Sequence, residues 1–187
     1  MRAERRMPGE AGIWLFILGD MVVFAVVFGV LVHSRGQDPA AYELGQGRLH
    51  IGLGIVNTVL LLTSSLLVAA GVRASRGLDA RQARPFFLGA IGCALAFVAL
   101  KAVEYTDLAS SGHGPATSEF SQLFFTFTGL HLLHVAIGLA VLGGVVRLVR
   151  RPALDEHDAM MLETGASYWH MVDLLWIVLF ALLYLLG

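Results

Sequence analysis

Apolar residues gather into five long runs, at 12–33 (GIWLFILGDMVVFAVVFGVLVH), 51–72, 86–108, 122–148 and 164–186, joined by short polar connections. A bilayer's hydrocarbon core, about 30 Å thick, is crossed by about 20 helical residues at about 1.5 Å each. Every run meets that length. Only helices and closed barrels satisfy their backbone within lipid, and runs this long predict an all-α integral membrane bundle of five transmembrane helices. The connections are rich in Gly, Pro, Ser, Arg and Asp and too short to fold alone, so residues 1–187 read as a single membrane domain. The first run follows Arg2, Arg5 and Arg6, as a signal peptide would. It is too long for a signal's apolar core, carries Asp20 and precedes no small-x-small cleavage site, so it is expected to stay in the mature protein.

Charge then orients the runs. Arg2, Arg5 and Arg6 precede the first; Arg73, Arg76, Arg81 and Arg84 join the second to the third; Arg147, Arg150 and Arg151 join the fourth to the fifth. The alternate connections hold only Arg35 and Arg48. The positive-inside rule therefore places the N-terminus in the cytoplasm and, with an odd number of spans, the C-terminus outside. Composition agrees with the solvent: 57% of residues are hydrophobic and 14% charged, where a soluble domain carries about a quarter charged, and mean hydropathy is +0.73. A net charge of -1 offers nothing to nucleic acid. The single cysteine, Cys93, sits inside an apolar run and reads as a small packing residue. Lipid and protein interior are equally apolar, so small residues locate helix contacts better than periodicity does. Ala25 with Gly29, Gly89 with Cys93, and Ala136, Ala140 and Gly144 recur every fourth position, the spacing of closely approaching backbones.

Ionisable side chains at membrane depth cost about 2.5–3.5 kcal/mol each on insertion scales, so each calls for a compensating role. The runs carry Asp20; Lys101 and Glu104; His131 and His134; His170 and Asp173; Glu163 stands at the inner mouth of the last. Asn57, Ser64 and Ser65 add neutral polar groups. Lys101 and Glu104, three apart on one face, read as a structural ion pair. Asp20, His131, His134, Glu163, His170 and Asp173 form a candidate buried polar or proton-related network. Counted from the inner ends, Asp20 and His170 lie within about two residues of one depth, roughly 3 Å at helical rise, which predicts that they pair. No Glu has a His three positions later, against a di-iron bundle, and one cysteine does not make a zinc site. Two histidines suffice for axial haem ligation, which sequence alone leaves open.

In order along the chain, these residues resemble subunit III of the haem–copper oxidases. Glu163 followed by Tyr168-Trp169-His170-Met171-Val172-Asp173-Leu174-Leu175-Trp176 is similar to that family's E-x4-YWH-x-VD-x-x-W. Gly129-Leu130-His131-Leu132-Leu133-His134-Val135 with Gly138 is similar to G-x-H-x-x-H-V-x-x-G. Lys101 to Tyr105 fills the place of an E-Y motif, and Asn57-Thr58 with Ser64-Ser65 resembles the second-span pattern. The resemblance implies a non-catalytic, short five-helix subunit in a bacterial cell (inner) membrane. It binds no haem, copper or other metal itself; haem and copper belong to subunits I and II. It implies packing on subunit I, bound phospholipid, and support of proton uptake, stability or assembly in aerobic electron transport. The family carries a glutamate where this chain has Asp20. With Pro8-Gly9-Glu10, that aspartate looks more like a branch associated with nitric oxide reductases, so an accessory protein of a nitric oxide reductase is the alternative. A free-standing proton or solute transporter is disfavoured because neither an inverted repeat nor a pair of Pro/Gly-broken helices is evident.

Topology is directly testable. Reporter fusions after Gly77 and Pro152 are expected to report the cytoplasm, and fusions after Pro39 and Gly114 the outside. A cytoplasmic signal from Gly114 would break the five-span reading.

Overall fold

The structure, a computed structural model, describes residues 11–77, 79–151 and 154–185. Arg2, Arg5, Arg6, the Pro8-Gly9-Glu10 motif, Pro152 and the end of the last run at Leu186 lie outside the described residues. Every described element is helical: α1 (Ala11–Gln37), α2 (Pro39–Gln46), α3 (Ile51–Ser75), a 3-10 turn (Ala80–Ala83), α4 (Arg84–Ser110), α5 (Glu119–Leu148), α6 (Glu156–Phe180) and a π-helical turn (Ala181–Leu185). Five of the helical segments are long and apolar enough to cross a membrane. The chain is a multi-pass membrane protein.

Local chemistry explains where the helices begin and stop. Asp38 caps α2 by accepting from Ala41 N at 3.1 Å, with Pro39 in the first turn, where its missing N–H costs nothing. Ser118 and Asp155 cap α5 and α6 by accepting from Ser121 N and Asp158 N. The end of α4 is a Schellman motif: Gly112 has φ +78°, its N–H reaches Ala109 O at 3.1 Å, and His113 N–H reaches Leu108 O at 2.9 Å. A side chain there would strain the left-handed backbone.

Helix α3 packs on α4 and α6, and α5 packs on α4 and α6, so α3 to α6 form the body of the bundle. α6 is its centre and the most enclosed of the spans, whereas α1 is thinly covered and leans mainly on α6. At the arginine-poor end, α2 lies against α5, with the Tyr42 ring edge-on to Phe120 at 5.4 Å, and Ser34 of α1 donates to the Glu119 carboxylate. At the arginine-rich end, Arg81 Nε donates to Arg150 O at 3.0 Å and Arg151 pairs with Asp158 at 2.8 Å.

The small-residue expectation is corrected. Ala25, Gly29, Ala136, Ala140 and Gly144 are exposed on the outer surface of the bundle, while Gly89 and Cys93 are half-buried. Of the named glycines, Gly89 does lie close to a neighbour, where a Cβ would meet Leu67 at 3.2 Å, and the tightest approaches occur at other glycines. A Cβ on Gly138 would meet the Trp169 ring at 2.7 Å, one on Gly165 would meet Val141 at 2.9 Å, and one on Gly71 would meet Phe87 at 2.8 Å. The interface glycines receive large side chains from the neighbouring helix, whereas Ala136 and Ala140 are exposed and Gly144 borders an open cleft between α5 and α6. Gly138→Val is therefore expected to destabilise the chain by about 1–3 kcal/mol through overpacking between α5 and α6. Gly144→Val, where a Cβ would meet nothing within 4 Å, should be close to neutral. Thermal unfolding of the detergent-solubilised protein decides between them, and equal losses would refute the packing argument.

Candidate functional site

Polar side chains within the bundle form three groups. The first joins α1 to α5. His134 Nδ1 lies 2.8 Å from Leu130 O, and its Nε2 lies 3.1 Å from Asp20 Oδ1. A carbonyl oxygen only accepts, so Nδ1 carries a hydrogen. Nε2 is thereby turned toward the carboxyl of Asp20, and the contact ties α1 to α5. The Phe24 ring meets the imidazole edge-on at 5.4 Å, and the Tyr168 hydroxyl donates to His134 O at 3.3 Å. The expected partner, His170, is not used. His170 is exposed, and its Nδ1 meets Ser65 Oγ at 2.6 Å. Counting depth from helix ends assumes helices that stand upright with flush ends. α5 has 30 residues, about 45 Å at helical rise, so it must tilt or protrude from the slab.

The second group is closed on itself. Lys101 Nζ donates to Glu104 Oε2 at 2.7 Å and to Tyr184 Oη at 2.8 Å, and Tyr184 Oη donates to Glu104 Oε1 at 2.7 Å. Lys101 is 0% exposed and Glu104 1%. The ammonium also lies over Trp176 at 4.7 Å and Phe124 at 5.1 Å, where ring faces attract cations. An ammonium has three donors; two go to oxygens and the remainder of its field meets aromatic faces. Tyr184 was not foreseen, because a tyrosine near the end of an apolar run reads as an interfacial anchor.

The third group lines a cleft of about 250 Å³ between α3 and α6 at the arginine-rich end, bordered by Arg73, Arg76, Glu163, Ser167 and His170. Arg76 donates to Glu163 Oε1 at 2.8 Å, a bond weakened by water on the arginine side. Asp173, one turn from His170, is buried, and its Oδ1 has no partner among the described residues. Between these groups, indole and hydroxyl bonds lock α6 to α3: Trp169 Nε1 donates to Ser64 Oγ and Trp176 Nε1 to Thr58 Oγ1, both at 3.1 Å. Ser64 passes its own hydrogen to Ala90 O of α4 at 2.9 Å.

The structure thus separates what the sequence grouped together. His131 and His134 diverge: His134 turns to α1, while His131 is fully buried against Phe97 and Trp176. Asp20 stands apart from His170 and Asp173, which both meet the Ser65 side chain of α3. Among the described residues, no three His, Cys, Asp or Glu side chains are placed to hold a metal ion.

The Asp20–His134 contact generates a prediction. Asp20→Asn keeps an amide donor facing Nε2 and should be tolerated. Asp20→Leu leaves a buried ring nitrogen unsatisfied, which should cost about 1–3 kcal/mol and loosen α1 first. Thermal unfolding and protease access to the α1–α2 junction measure both; a harmless Asp20→Leu would remove the pair from the account of the fold.

Comparison with known proteins follows the same residues. A family profile described as cytochrome c oxidase subunit III matches residues 7–187. The chain is 31% identical over 180 residues to cytochrome c oxidase subunit 3 of Bacillus sp. (strain PS3), covering 94% of this chain and 84% of that protein. It is 31% identical over 184 residues to cytochrome bo(3) ubiquinol oxidase subunit 3 of Pseudomonas aeruginosa, with 94% and 84% covered. The probable quinol oxidase subunit 3 of Staphylococcus aureus is 24% identical over 178 residues, with 95% and 89% covered. With its five apolar helices, its closed interior ion pair and a match across nearly its whole length, the chain belongs to the cytochrome c oxidase subunit III family.

Proposed function

We propose that this chain is a non-catalytic accessory subunit of a respiratory haem–copper oxidase in a bacterial cell membrane, folded as one membrane domain with its N-terminus in the cytoplasm. The observation that carries the reading is the subunit III match over residues 7–187. The polar interior supports it, since each ionisable group in the body of the bundle is bound to a neighbour or sealed in apolar surroundings rather than strung into an open path. Haem and copper then reside in subunits I and II, and the thinly covered α1 leaves a broad apolar face for such a neighbour. The Asp20–His134 contact sets an acid beside an imidazole at that side, which suits a subunit that supports proton uptake without performing redox chemistry. The α3–α6 cleft, with Arg73, Arg76 and His170 at the arginine-rich end, suits the phosphate of a membrane phospholipid. An accessory role beside a nitric oxide reductase is the second reading; Asp20 in place of the family's glutamate favours it.

Affinity purification in mild detergent tests both readings. The chain is expected to bring down haem- and copper-bearing subunits, and removing it should shorten the working life of their oxygen reduction. His131→Ala or His134→Ala should weaken assembly and leave the complex's absorption bands in place. A haem band lost in proportion to either histidine would overturn the accessory reading, and a haem partner that reduces nitric oxide but not oxygen would select the second.

A further inference from the structure

One polar seam of the bundle, between α3 and α6, ends blind. Arg76 of α3 meets Glu163 of α6 at the arginine-rich mouth of the cleft, and His170 lines the same cleft two turns along α6. His170 Nδ1 lies 2.6 Å from Ser65 Oγ of α3. Asp173, one turn deeper, meets the same hydroxyl and is 6% exposed. Its Oδ1 has no partner among the described residues. Glu163, Ser167, His170 and Asp173 follow one another at steps of four, three and three, a single stripe of the helix about 15 Å long at helical rise. Past Asp173 the seam closes, because Trp176 Nε1 is committed to Thr58 and Gly54 receives the Phe180 ring.

A serine hydroxyl carries one hydrogen, and here it stands between two titratable groups. With a neutral imidazole, two hydrogen-bond orders satisfy all three side chains. In one, Nδ1–H donates to Ser65 and Ser65 donates to an Asp173 carboxylate. In the other, an Asp173 carboxylic acid donates to Ser65 and Ser65 donates to Nδ1, while Nε2 carries the ring hydrogen. The two orders differ by one proton, and Nε2 is the nitrogen left for the cleft.

We infer that Asp173 is a proton-binding site, loaded from the α3–α6 cleft through His170 and Ser65. A hydronium ion in the cleft supplies the proton. The Nε2–H bond forms, and the Nδ1–H bond breaks as its hydrogen passes to Ser65 Oγ. The former Oγ–H bond breaks as that hydrogen passes to the carboxylate. Water remains in the cleft, the carboxyl has gained one proton, and no electron is transferred. An imidazole that receives on one nitrogen and gives from the other needs no ring rotation for this step. The remaining charged groups on the packed helices are engaged elsewhere. Asp20 of α1 meets His134 of α5, Lys101 of α4 is held by Glu104, and Arg73 borders the cleft mouth near the Arg76–Glu163 pair. His131 of α5 faces Phe97 and Trp176. The path therefore stores a proton at a closed end and does not conduct one across the bundle. It deepens the accessory reading, on which it rests only for the use made of the proton.

Infrared difference spectroscopy of the detergent-purified protein with its partners tests the site. Raising the pH is expected to remove a protonated-carboxyl band that Asp173→Asn lacks. On transfer to heavy water the band should shift promptly in the unaltered protein, and severalfold more slowly in Ser65→Ala and His170→Phe. Ser65→Thr keeps a hydroxyl and should restore fast exchange. The absence of a pH-dependent band belonging to Asp173 overturns the proposal, and so does an exchange rate untouched by Ser65→Ala. Should Asp173→Asn fail to assemble, the Ser65 variants decide: a carboxyl band that exchanges alike with alanine and threonine overturns the relay. A preparation that keeps its haem-bearing partners and lacks the band refutes this site alone. A chain that shows the band and retains no such partner refutes the accessory reading alone.

Discussion

The lack of water inside a bilayer is the constraint on which this structure depends. A charge that cannot be hydrated must be met by another charge or by oriented dipoles. The Lys101–Glu104–Tyr184 ring answers that requirement with every principal donor and acceptor matched. Lys101 and Glu104 stand one turn apart on α4, so their pairing needs no tertiary structure. The third member needs a great deal. Tyr184 comes from the π-helical turn at the end of α6, whose wider winding shifts the register after Phe180 and re-aims the residues that follow. Phe124 and Trp176 complete the enclosure from α5 and α6. Three helices are thus committed to one neutral knot, and its cost of desolvation is what fixes their relative rotation.

Around that knot, contact replaces the hydrophobic effect. Moving an apolar side chain from lipid to protein gains little solvation energy, so helices associate through close packing and hydrogen bonds. Glycines on one helix receive rings from the next: Gly138 takes Trp169, Gly71 takes Phe87 and Gly54 takes Phe180. The same indoles carry polar edges that must be satisfied, and Ser64 and Thr58 lie where Trp169 and Trp176 can reach them. A tryptophan here serves as packing volume and as cross-link, and this accounts for α6 being the most enclosed helix.

Much of this was legible before any coordinates. Five spans follow from run length, and the ion pair on α4 follows from a spacing of three. What the sequence hid was rotation about each helix axis. His131 and His134 share a face by the usual rule, yet three residues still separate them by about 60°. In a crowded bundle that suffices to send His134 to α1 and His131 to the interior. Asp20 and His170 matched in depth and failed in direction. The small-residue stripe on α5 misled for a similar reason: fourfold spacing identifies a face that can pack closely and cannot tell which neighbour, lipid or protein, it meets. The short helix α2 has a signal in the sequence, since Asp38-Pro39 is a cap followed by a first-turn proline.

Helix α1 carries the consequence of these rules furthest. It buries little of its length, so few contacts oppose its sliding or turning against α6. Its polar ties include Ser34 to Glu119 near the arginine-poor end and Asp20 to His134 at membrane depth. The latter joins two ionisable side chains across the boundary between α1 and α5. Geometry adds a restriction. His134 is anchored by Leu130 O and bordered by Phe24, so it cannot retreat to admit a longer acid. Aspartate at position 20 reaches it at 3.1 Å; a glutamate would have to fold its extra methylene aside or shift α1 outward. The shorter acid and the position of α1 are therefore one choice, made by the fixed imidazole on α5.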